Sequence, residues 1–401
     1  MKEIFKRYKD TFILSIVAVV LGIIVGAIDT VFGKVLIEIT FFREKNFFMF
    51  IPFLGIAGVL TNYLYLKFGK NSIKGMTLVF ESANGDEEAI PKRLVPLIIF
   101  TTWITHLFGG SAGREGVAVQ IGATVADIAG SKLKIKNAKR IMIMTGISAG
   151  FAGLFQTPIA ASFFAIEVLT AGIIEYNALI TVVISAFTAS FTSHVIGLER
   201  FNCVLTCLLD IDVIFIFKLA LIGIIFGVVG GSFAYFLVKA KRFFNSKFES
   251  SIKKIFVVGS FLSIVLLLLH GGRYSGLGTN LISNSFNGEN IYFYDWILKF
   301  ILTIITLSAG FQGGEVTPLF SIGSSLGVIL ASILHLPIEF VAALGYVAVF
   351  GSATNTFLAP IFIGAEIFGF SYVPYFFIIC TIAYIFNGNK SIYTAQKLRE
   401  S

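Results

Sequence analysis

Hydrophobic residues recur along the whole chain in long stretches that short polar segments separate. The stretches are 11–39, 46–66, 94–108, 141–154, 176–193, 211–238, 255–269, 296–309, 326–334, 340–350 and 371–386. Several exceed the roughly 20 residues that a helix needs to cross a bilayer, whereas others are about half that length. Half-length helices are tolerated in a membrane only where protein or a water-filled cavity surrounds their ends. The pattern therefore predicts an all-α integral membrane protein with broken and half-length helices.

The composition and the distribution of charge agree with a membrane location. Of 401 residues, 56% are hydrophobic, 13% are charged and 44 are Phe, and the formal net charge is +8. Basic residues gather in 2–9, 132–140 and 239–254, at the ends of apolar stretches. By the positive-inside rule these segments face the cytoplasm, so we expect a multi-pass protein of the cell membrane with both termini inside. Charges in these places argue against binding of nucleic acid, and membrane lipid is an expected partner.

One Gly-rich motif occurs twice in the chain. Residues 109–124 read GGSAGREGVAVQIGAT and residues 310–325 read GFQGGEVTPLFSIGSS. Each motif places a Glu, Glu115 or Glu315, behind a Gly-rich turn and ahead of an apolar run. A second pair follows, because FQTPI begins forty residues after Glu115 and FLAPI begins forty-two residues after Glu315.

Paired interruptions by Gly and Pro in the two halves of a membrane protein point to a substrate site between repeats. We therefore expect a first transmembrane repeat over 1–205 and a second over 206–401, within a single membrane domain and without a soluble regulatory domain. The three Cys residues lie in or beside apolar runs without the spacing of metal ligands, so we expect packing roles for them and predict no metal site and no cofactor.

The Gly turns indicate which ion is bound. A helix that begins inside the membrane presents unpaired N–H groups and the positive end of its dipole. One such terminus stabilises an anion by only ~0.3–2 kcal/mol, whereas dehydrating an ion costs several kcal/mol, so several termini must converge. The candidate turns lie at Gly75, Gly113–Gly116 and Gly313–Gly314. Because a cation pathway would favour carbonyl oxygens and clustered carboxylates, we predict an anion site.

Glu115 is itself an anion placed where an anion should bind. Amide groups would hold it ionised, and a transported anion beside it would disfavour the charge, so its protonation should follow the state of the site. An acidic residue in a first helical turn can also serve merely to stabilise the helix. Ionisable groups inside an apolar chain mark transport pathways by default, and we therefore favour a role as proton carrier.

The segment GREGVAVQIG at 113–122 resembles the GREGP-type motif of the CLC family of chloride channels and anion/proton antiporters. The resemblance extends over nearly the whole chain, including the two FxxPI segments and a terminal helix bearing Tyr393. It implies an inverted two-repeat helical fold and a homodimer with one anion pathway per subunit. It also implies that Glu115 is the gating glutamate and that the hydroxyl of Tyr393 faces the pore.

Two departures from the chloride members resemble the CLC-F branch, the bacterial fluoride/proton antiporters. Met76, in the segment KGMTL, replaces a chloride-binding Ser, and GGEVTP at 313–318 carries Glu315 where chloride members have an apolar residue. The internal proton glutamate of the chloride exchangers aligns with Val168, so that relay is missing here. Glu167, beside it, and Glu366 each follow an FxxPI segment. We interpret both as structural, and help in moving protons inward is the alternative.

These departures suit fluoride, which is small and a strong hydrogen-bond acceptor. Thr317 would donate a hydroxyl from the second repeat, and Glu315, which we expect to be protonated near neutrality, could donate as well. Phe80 could present a positive ring edge to the anion, and Arg114 would brace its turn or pair with a nearby acid. The residues predicted to bind or select the anion are Gly75, Met76, Phe80, Gly113, Arg114, Gly116, Gly313, Gly314, Glu315, Val316, Thr317 and Tyr393.

The sequence thus predicts a secondary antiporter that exports fluoride in exchange for protons, with Glu115 coupling the two. A chloride/proton antiporter or a passive chloride channel of the same family is the alternative. Met76 and the segment GGEVTP are the features that favour the fluoride antiporter over these chloride transporters. A Na⁺-coupled solute carrier would need carboxylates and unwound carbonyls near the midplane, whereas here the Gly turns precede helices. An enzyme is not expected, because no His/Asp or Ser/His set occurs at usable spacing.

Overall fold

The computed structural model describes residues 1–86, 89–207, 209 and 212–398, except the side chains of Lys2 and Glu3. Helices dominate the described residues. The first half of the chain forms α1 (Lys2–Lys45), α2 (Phe47–Phe50), α3 (Leu54–Leu64), α4 (Met76–Asn84), α5 (Leu94–Leu107), α6 (Glu115–Gly130), α7 (Ala138–Phe155), α8 (Pro158–Glu167) and α9 (Leu179–Val195). The second half forms α10 (Val213–Lys247), α11 (Ser251–Leu268), α12 (Thr279–Phe286), α13 (Asp295–Ala309), α14 (Val316–Leu334), α15 (Ile338–Thr354), α16 (Leu358–Phe368) and α17 (Val373–Ile385).

Short elements connect the helices. Single turns of 3-10 or π helix occupy Ile51–Phe53, Tyr65–Gly69, Lys70–Lys74, Tyr176–Ala178, His270–Gly272 and Phe370–Tyr372. Two strands of two residues, β1 (Thr170–Ala171) and β2 (Lys397–Leu398), pair in parallel. The segment 196–212 lies between α9 and α10, and the repeat boundary at 205/206 falls within it and stays a prediction.

The helices differ in length as the apolar pattern predicts. Within the described residues, six helical segments are long and apolar enough to cross a membrane, namely Ile4–Lys45, Phe47–Lys74, Tyr176–Val195, Val213–Lys247, Ser251–Leu268 and Val316–Leu334. Shorter apolar helices accompany them, among them α8 and α16, which have 10 and 11 residues. The prediction of an all-α membrane protein with half-length helices is confirmed.

The two halves repeat one packing arrangement. In the first half α6 packs against α7, and a Cβ on Gly122 would overlap the carbonyl oxygen of Gly146. In the second half α14 packs against α15, and a Cβ on Gly323 would overlap the carbonyl oxygen of Gly345. Glycine is needed at these contacts because the two backbones touch. The same backbone contact therefore holds the equivalent helix pair in each half.

The half-length helices α8 and α16 cap each other. The carboxylate of Glu167, at the end of α8, accepts hydrogen bonds from the N–H groups of Phe357, Leu358 and Ala359 at 3.2, 3.0 and 2.7 Å. These N–H groups begin α16 and have no partner within their own helix. In return, Glu366 on α16 accepts from the N–H groups of Ile159 and Ala160 at 3.2 and 2.8 Å.

Tyr393 departs from the expectation of a terminal helix. The last helix ends at Ile385, and residues 386–396 are irregular. Left-handed backbone at Gly388 and Asn389, with φ of 63° and 56°, turns the chain away from the helix. The Ile392 N–H then bonds to the Ala353 carbonyl at 2.9 Å, and the Tyr393 side chain is buried. The prediction of a helix at Tyr393 is wrong, although the residue does point into the protein.

The exchanged caps can be tested by the stability of a variant. Glu366→Ala leaves the N–H groups of Ile159 and Ala160 without an acceptor, at a cost of about 1–3 kcal/mol. The midpoint of thermal unfolding of Glu366→Ala in detergent should fall by several degrees. The midpoint of Glu366→Gln, which keeps one acceptor, should fall less. Glu38→Ala is the matched control, because Glu38 is an exposed residue of α1. Equal midpoints for Glu366→Ala and Glu38→Ala would contradict the stabilising role of the cap.

Candidate functional site

The two Gly-rich loops meet in the protein interior. The Gly113 N–H donates to the Gly314 carbonyl at 2.5 Å, and the Gly314 N–H donates to the Gly113 carbonyl at 2.8 Å. This isolated antiparallel bridge brings together the starts of α6 and α14, because both helices begin within two residues of it. A side chain on Gly113 would collide with Pro318 and with the Gly314 backbone, so the close approach depends on glycine.

The bridge fixes how the two motifs correspond. Gly113 lies opposite Gly314, and the helices begin at Glu115 and at Val316. The counterpart of Glu115 in space is therefore Val316, and the counterpart of Glu315 is Arg114. The two Glu residues therefore do not occupy equivalent positions. Glu115 is the first residue of α6, whereas Glu315 lies one residue before the first residue of α14.

The carboxylate of Glu115 lies at the start of α14, a helix from the other half of the chain. Its Oε2 accepts hydrogen bonds from the Thr317 N–H at 3.1 Å, from the Thr317 hydroxyl at 2.5 Å and from the Arg114 N–H at 3.3 Å. Its Oε1 lies 3.7 Å from Nε of Arg114. The side chain is 1% exposed. A carboxylate in this position satisfies donors that α14 cannot satisfy itself and lies at the positive end of its dipole.

The side chain of Glu315 approaches the start of α6. A Cβ on Gly116, the second residue of α6, would lie 3.6 Å from Oε2 of Glu315. The carboxyl group of Glu315 therefore lies beside the start of α6, as that of Glu115 lies at the start of α14. Two carboxyl groups from opposite halves thus flank one bridge between Gly113 and Gly314.

A cavity of about 480 Å³ leads to this place. Its lining contains six of the residues predicted from the sequence, which are Gly75, Met76, Phe80, Gly313, Glu315 and Tyr393. The rings of Phe80 and Tyr393 stack with centroids 5.2 Å apart. Lys241, near the end of α10, and Lys254, near the start of α11, line it as well.

The remaining predicted residues lie deeper. Glu115 and Thr317, 1% and 5% exposed, are bonded to each other beside the end of the cavity that Gly313 and Glu315 form. Arg114, Gly116, Val316 and the Gly113–Gly314 bridge surround them. The structure therefore brings all the predicted site residues into one region, with Glu115 beside the inner end of the cavity. Their roles stay predictions.

Gln120 belongs to the site and was missed in the sequence. It lies one turn into α6, where its amide donates to the Gly116 carbonyl at 3.1 Å. Its Oε1 would lie 3.2 Å from a Cβ on Gly75, so Gln120 packs α6 against the turn that begins α4. The available signal was a polar amide in an otherwise apolar helical run.

The fold and site define a class of membrane protein in which two similar halves each direct the start of a helix to one buried position that a carboxylate fills. The family model described as voltage gated chloride channel matches residues 57–388, and the chain belongs to this family. A protein of Pseudomonas syringae pv. tomato named "Chloride/fluoride channel protein" is 34% identical over 387 residues, which make up 95% of this chain and 85% of the relative.

Solved structures agree with this assignment. The crystal structure of a CLC-type fluoride/proton antiporter has a TM-score of 0.96 and 51% sequence identity, and the match covers 98% of this chain and 99% of that one. The structure of a slow cyanobacterial Cl⁻/H⁺ antiporter has a TM-score of 0.81 at 22% identity and covers 95% of this chain and 96% of that one. At this lower identity the likeness concerns the fold alone. The resemblance to the CLC family and its CLC-F branch is confirmed.

Proposed function

We propose that this protein exports fluoride across the cell membrane in exchange for protons, with Glu115 carrying the proton. The observation that supports this most directly is the position of the Glu115 carboxylate. It occupies a small site and accepts hydrogen bonds from an amide and a hydroxyl of Thr317. A fluoride ion is an acceptor of the same charge, so it would use the same donors once the carboxylate leaves them.

The proposed exchange follows from competition between two anions for one site. Ionised Glu115 occupies the donors at the start of α14 and blocks the pathway. Protonation removes its charge and with it the favourable interaction with the helix terminus, so the side chain leaves and fluoride takes its place. Release of fluoride lets Glu115 lose the proton and return. Because one site holds either the carboxylate or fluoride, the two movements are coupled.

The proposal of fluoride, in preference to chloride, rests on the residues around this position. Thr317 offers a hydroxyl as well as an amide, and hydrogen bonds to an anion are stronger than neutral ones. Met76 lines the cavity and has no hydroxyl to offer chloride. Phe80 and Tyr393 place two stacked rings on the same lining. The 51% identity with a CLC-type fluoride/proton antiporter supports the same choice.

We propose that two copies associate in the membrane, with each copy containing its own pathway and with both termini on the cytoplasmic side. Large apolar side chains on α9 and α17 are exposed in the single chain, for example Phe191 at 69% and Ile385 at 67%. A second copy or lipid would cover such surfaces. The basic segments 132–140 and 239–254 support the orientation, and the cavity lined by Lys241 and Lys254 would then open to the cytoplasm.

Ion flux from liposomes tests the proposed function. Purified protein should release fluoride much faster than chloride from loaded vesicles, and the external pH should rise as protons enter in exchange. A fluoride electrode, a chloride electrode and a pH electrode in the same experiment give all three rates. Equal rates for the two anions would contradict fluoride selectivity, and fluoride flux without proton flux would identify a channel.

Glu115→Gln tests the coupling residue. An amide can neither carry the proton nor compete as an anion, so a proton gradient should no longer drive fluoride uptake against its concentration gradient. Glu44→Gln, an exposed glutamate at the end of α1, is the matched control and should keep the coupling. Proton-driven fluoride accumulation by Glu115→Gln would show that another group carries the proton.

Thr317 offers a matched pair of variants. Thr317→Ser keeps the hydroxyl that bonds to Glu115 Oε2, whereas Thr317→Val removes it with little change of shape. Loss of a hydrogen bond to a charged group costs about 1.5–3 kcal/mol, so fluoride turnover should fall by about tenfold or more in Thr317→Val. Thr317→Ser should stay within about threefold of the parent. Similar rates in the two variants would exclude the hydroxyl as a fluoride donor.

A further inference from the structure

The irregular loop that carries Tyr393 is attached to the rest of the protein on both sides of this residue. Before it, the Ile392 N–H donates to the Ala353 carbonyl of α15 at 2.9 Å. After it, the Lys397 N–H donates to the Leu169 carbonyl at 3.1 Å, next to the pairing of β2 with β1. The first contact is with the second half of the chain and the second contact is with the first half. The loop therefore connects the two halves.

The side chain of Gln396 makes the same connection directly. Its amide nitrogen donates to the Val168 carbonyl at 2.9 Å and to the Thr354 carbonyl at 3.2 Å. Val168 directly follows α8 and Thr354 ends α15, and carbonyl groups at the end of a helix have no donor within that helix. The amide nitrogen carries two N–H groups, so one Gln side chain can satisfy both carbonyl groups. Gln396 thus caps the C-terminal ends of one helix from each half.

Gln396 also closes the turn around Tyr393. Its backbone N–H donates to the Tyr393 carbonyl at 3.0 Å, and the Tyr393 N–H donates to Oγ of Ser391 at 3.1 Å. The hydroxyl of Ser391 donates in turn to the Thr354 carbonyl at 3.3 Å, which is the carbonyl that the Gln396 amide also binds. The backbone on both sides of Tyr393 is therefore held by the cap that Gln396 forms.

The turn presents the side chain of Tyr393 to the cavity. The ring packs against Phe80, with centroids 5.2 Å apart, and against Phe164, with centroids 6.3 Å apart. The hydroxyl group is close enough to Glu315 and Glu115 to interact electrostatically with their carboxyl groups. Apolar burial is non-directional, so the ring contacts leave open how far the hydroxyl reaches along the cavity. The backbone of the turn sets that reach.

We infer that Gln396 is a positioning residue, whose amide caps α8 and α15 together and so holds the Tyr393 hydroxyl beside Glu315. The inference rests on the proposed function, because it gives this hydroxyl a part in fluoride transport. Gln396 acts through Tyr393 and contributes no group of its own to the pathway. Loss of the cap lets the turn open locally while the helices stay folded. The hydroxyl then spends less time in the place where transport needs it.

Hydrogen exchange tests the cap without reference to transport. Gln396→Met keeps the length of the side chain and removes both N–H donors. Backbone amides of residues 391–398 should exchange about tenfold faster in this variant, since two hydrogen bonds that close the turn are lost. Lys397→Met is the matched control, because its side chain is 55% exposed and its backbone bond to Leu169 stays. Equal exchange in Gln396→Met and the parent overturns the inference.

A double-mutant cycle tests whether Gln396 acts through the hydroxyl of Tyr393. In proteoliposomes, fluoride turnover should fall about three- to tenfold in Tyr393→Phe and by a similar factor in Gln396→Met. The combined variant should be no slower than Tyr393→Phe, because the hydroxyl that the cap positions is already absent. A merely structural role would instead slow both backgrounds by the same factor. Factors that multiply in the combined variant overturn the inference, and so does parental turnover in Tyr393→Phe.

A second variant supports the experiment should Gln396→Met fail to fold. Ser391→Ala removes the other side-chain bond to the Thr354 carbonyl together with the acceptor of the Tyr393 N–H. It should speed exchange in the turn and show no further effect on turnover when combined with Tyr393→Phe. Parental exchange in Ser391→Ala, or factors that multiply, would count against the inference in the same way.

The outcomes separate this inference from the proposed function. A parent protein that moves fluoride, with Gln396→Met at full turnover, overturns the positioning role and leaves the antiporter intact. A parent protein that moves no fluoride overturns the proposed function and the transport role of Gln396 together. Lys397→Met should keep parental turnover, and a fall in this control equal to that in Gln396→Met would show that any change near the turn slows transport, which also overturns the inference.

Discussion

A helix that begins inside a membrane needs a negative partner at its first turn, and the rest of this structure depends on how that need is met. Water is not available there, and unsatisfied N–H groups are costly. For α14, α16 and α8 the partner is a carboxylate from the opposite half of the chain, namely Glu115, Glu167 and Glu366 in that order. Glu315 lies near the start of α6 without a hydrogen bond to it among the described residues. The two halves are therefore held together by the exchange of charges across their interface.

The same interaction has two different consequences. Glu167 accepts from three successive amides of α16 in an arrangement that needs no further partner. Glu115 accepts from one residue of α14, through an amide and a hydroxyl, and a cavity reaches the neighbouring Glu315. Glu167 also lines a cavity, beside Phe357 and Leu358, so access does not distinguish the two carboxylates. The difference lies in their donors, which are three amides of α16 for Glu167 and one amide with one hydroxyl of α14 for Glu115.

Much of this arrangement could be predicted from the sequence because its determinants are local. Apolar run lengths indicate half-length helices, and Gly residues ahead of an apolar run indicate helix starts, so the surroundings of Glu115 could be predicted. The one-residue offset that pairs Glu115 with Val316 could not, since it depends on a bridge between residues about 200 positions apart. The helix at Tyr393 was expected from the family resemblance, whereas the polar segment around it, with left-handed backbone at Gly388 and Asn389, ends the helix earlier.

The exchange of charges also explains how coupling can work without an internal proton relay. Val168, the position that aligns with the relay glutamate of chloride exchangers, is a buried apolar residue. If Glu115 left its site with nothing to replace it, the donors of Thr317 and the start of α14 would lose their partner, at a cost of several kcal/mol. An empty site is therefore the unfavourable state, and in the cycle that we propose the carboxylate and the anion alternate for this reason. Under that proposal, a single glutamate that loses its charge on protonation links the two ions. In this proposed cycle, selectivity and coupling have one origin, because the hydroxyl that favours fluoride is the same hydroxyl that holds the ionised Glu115.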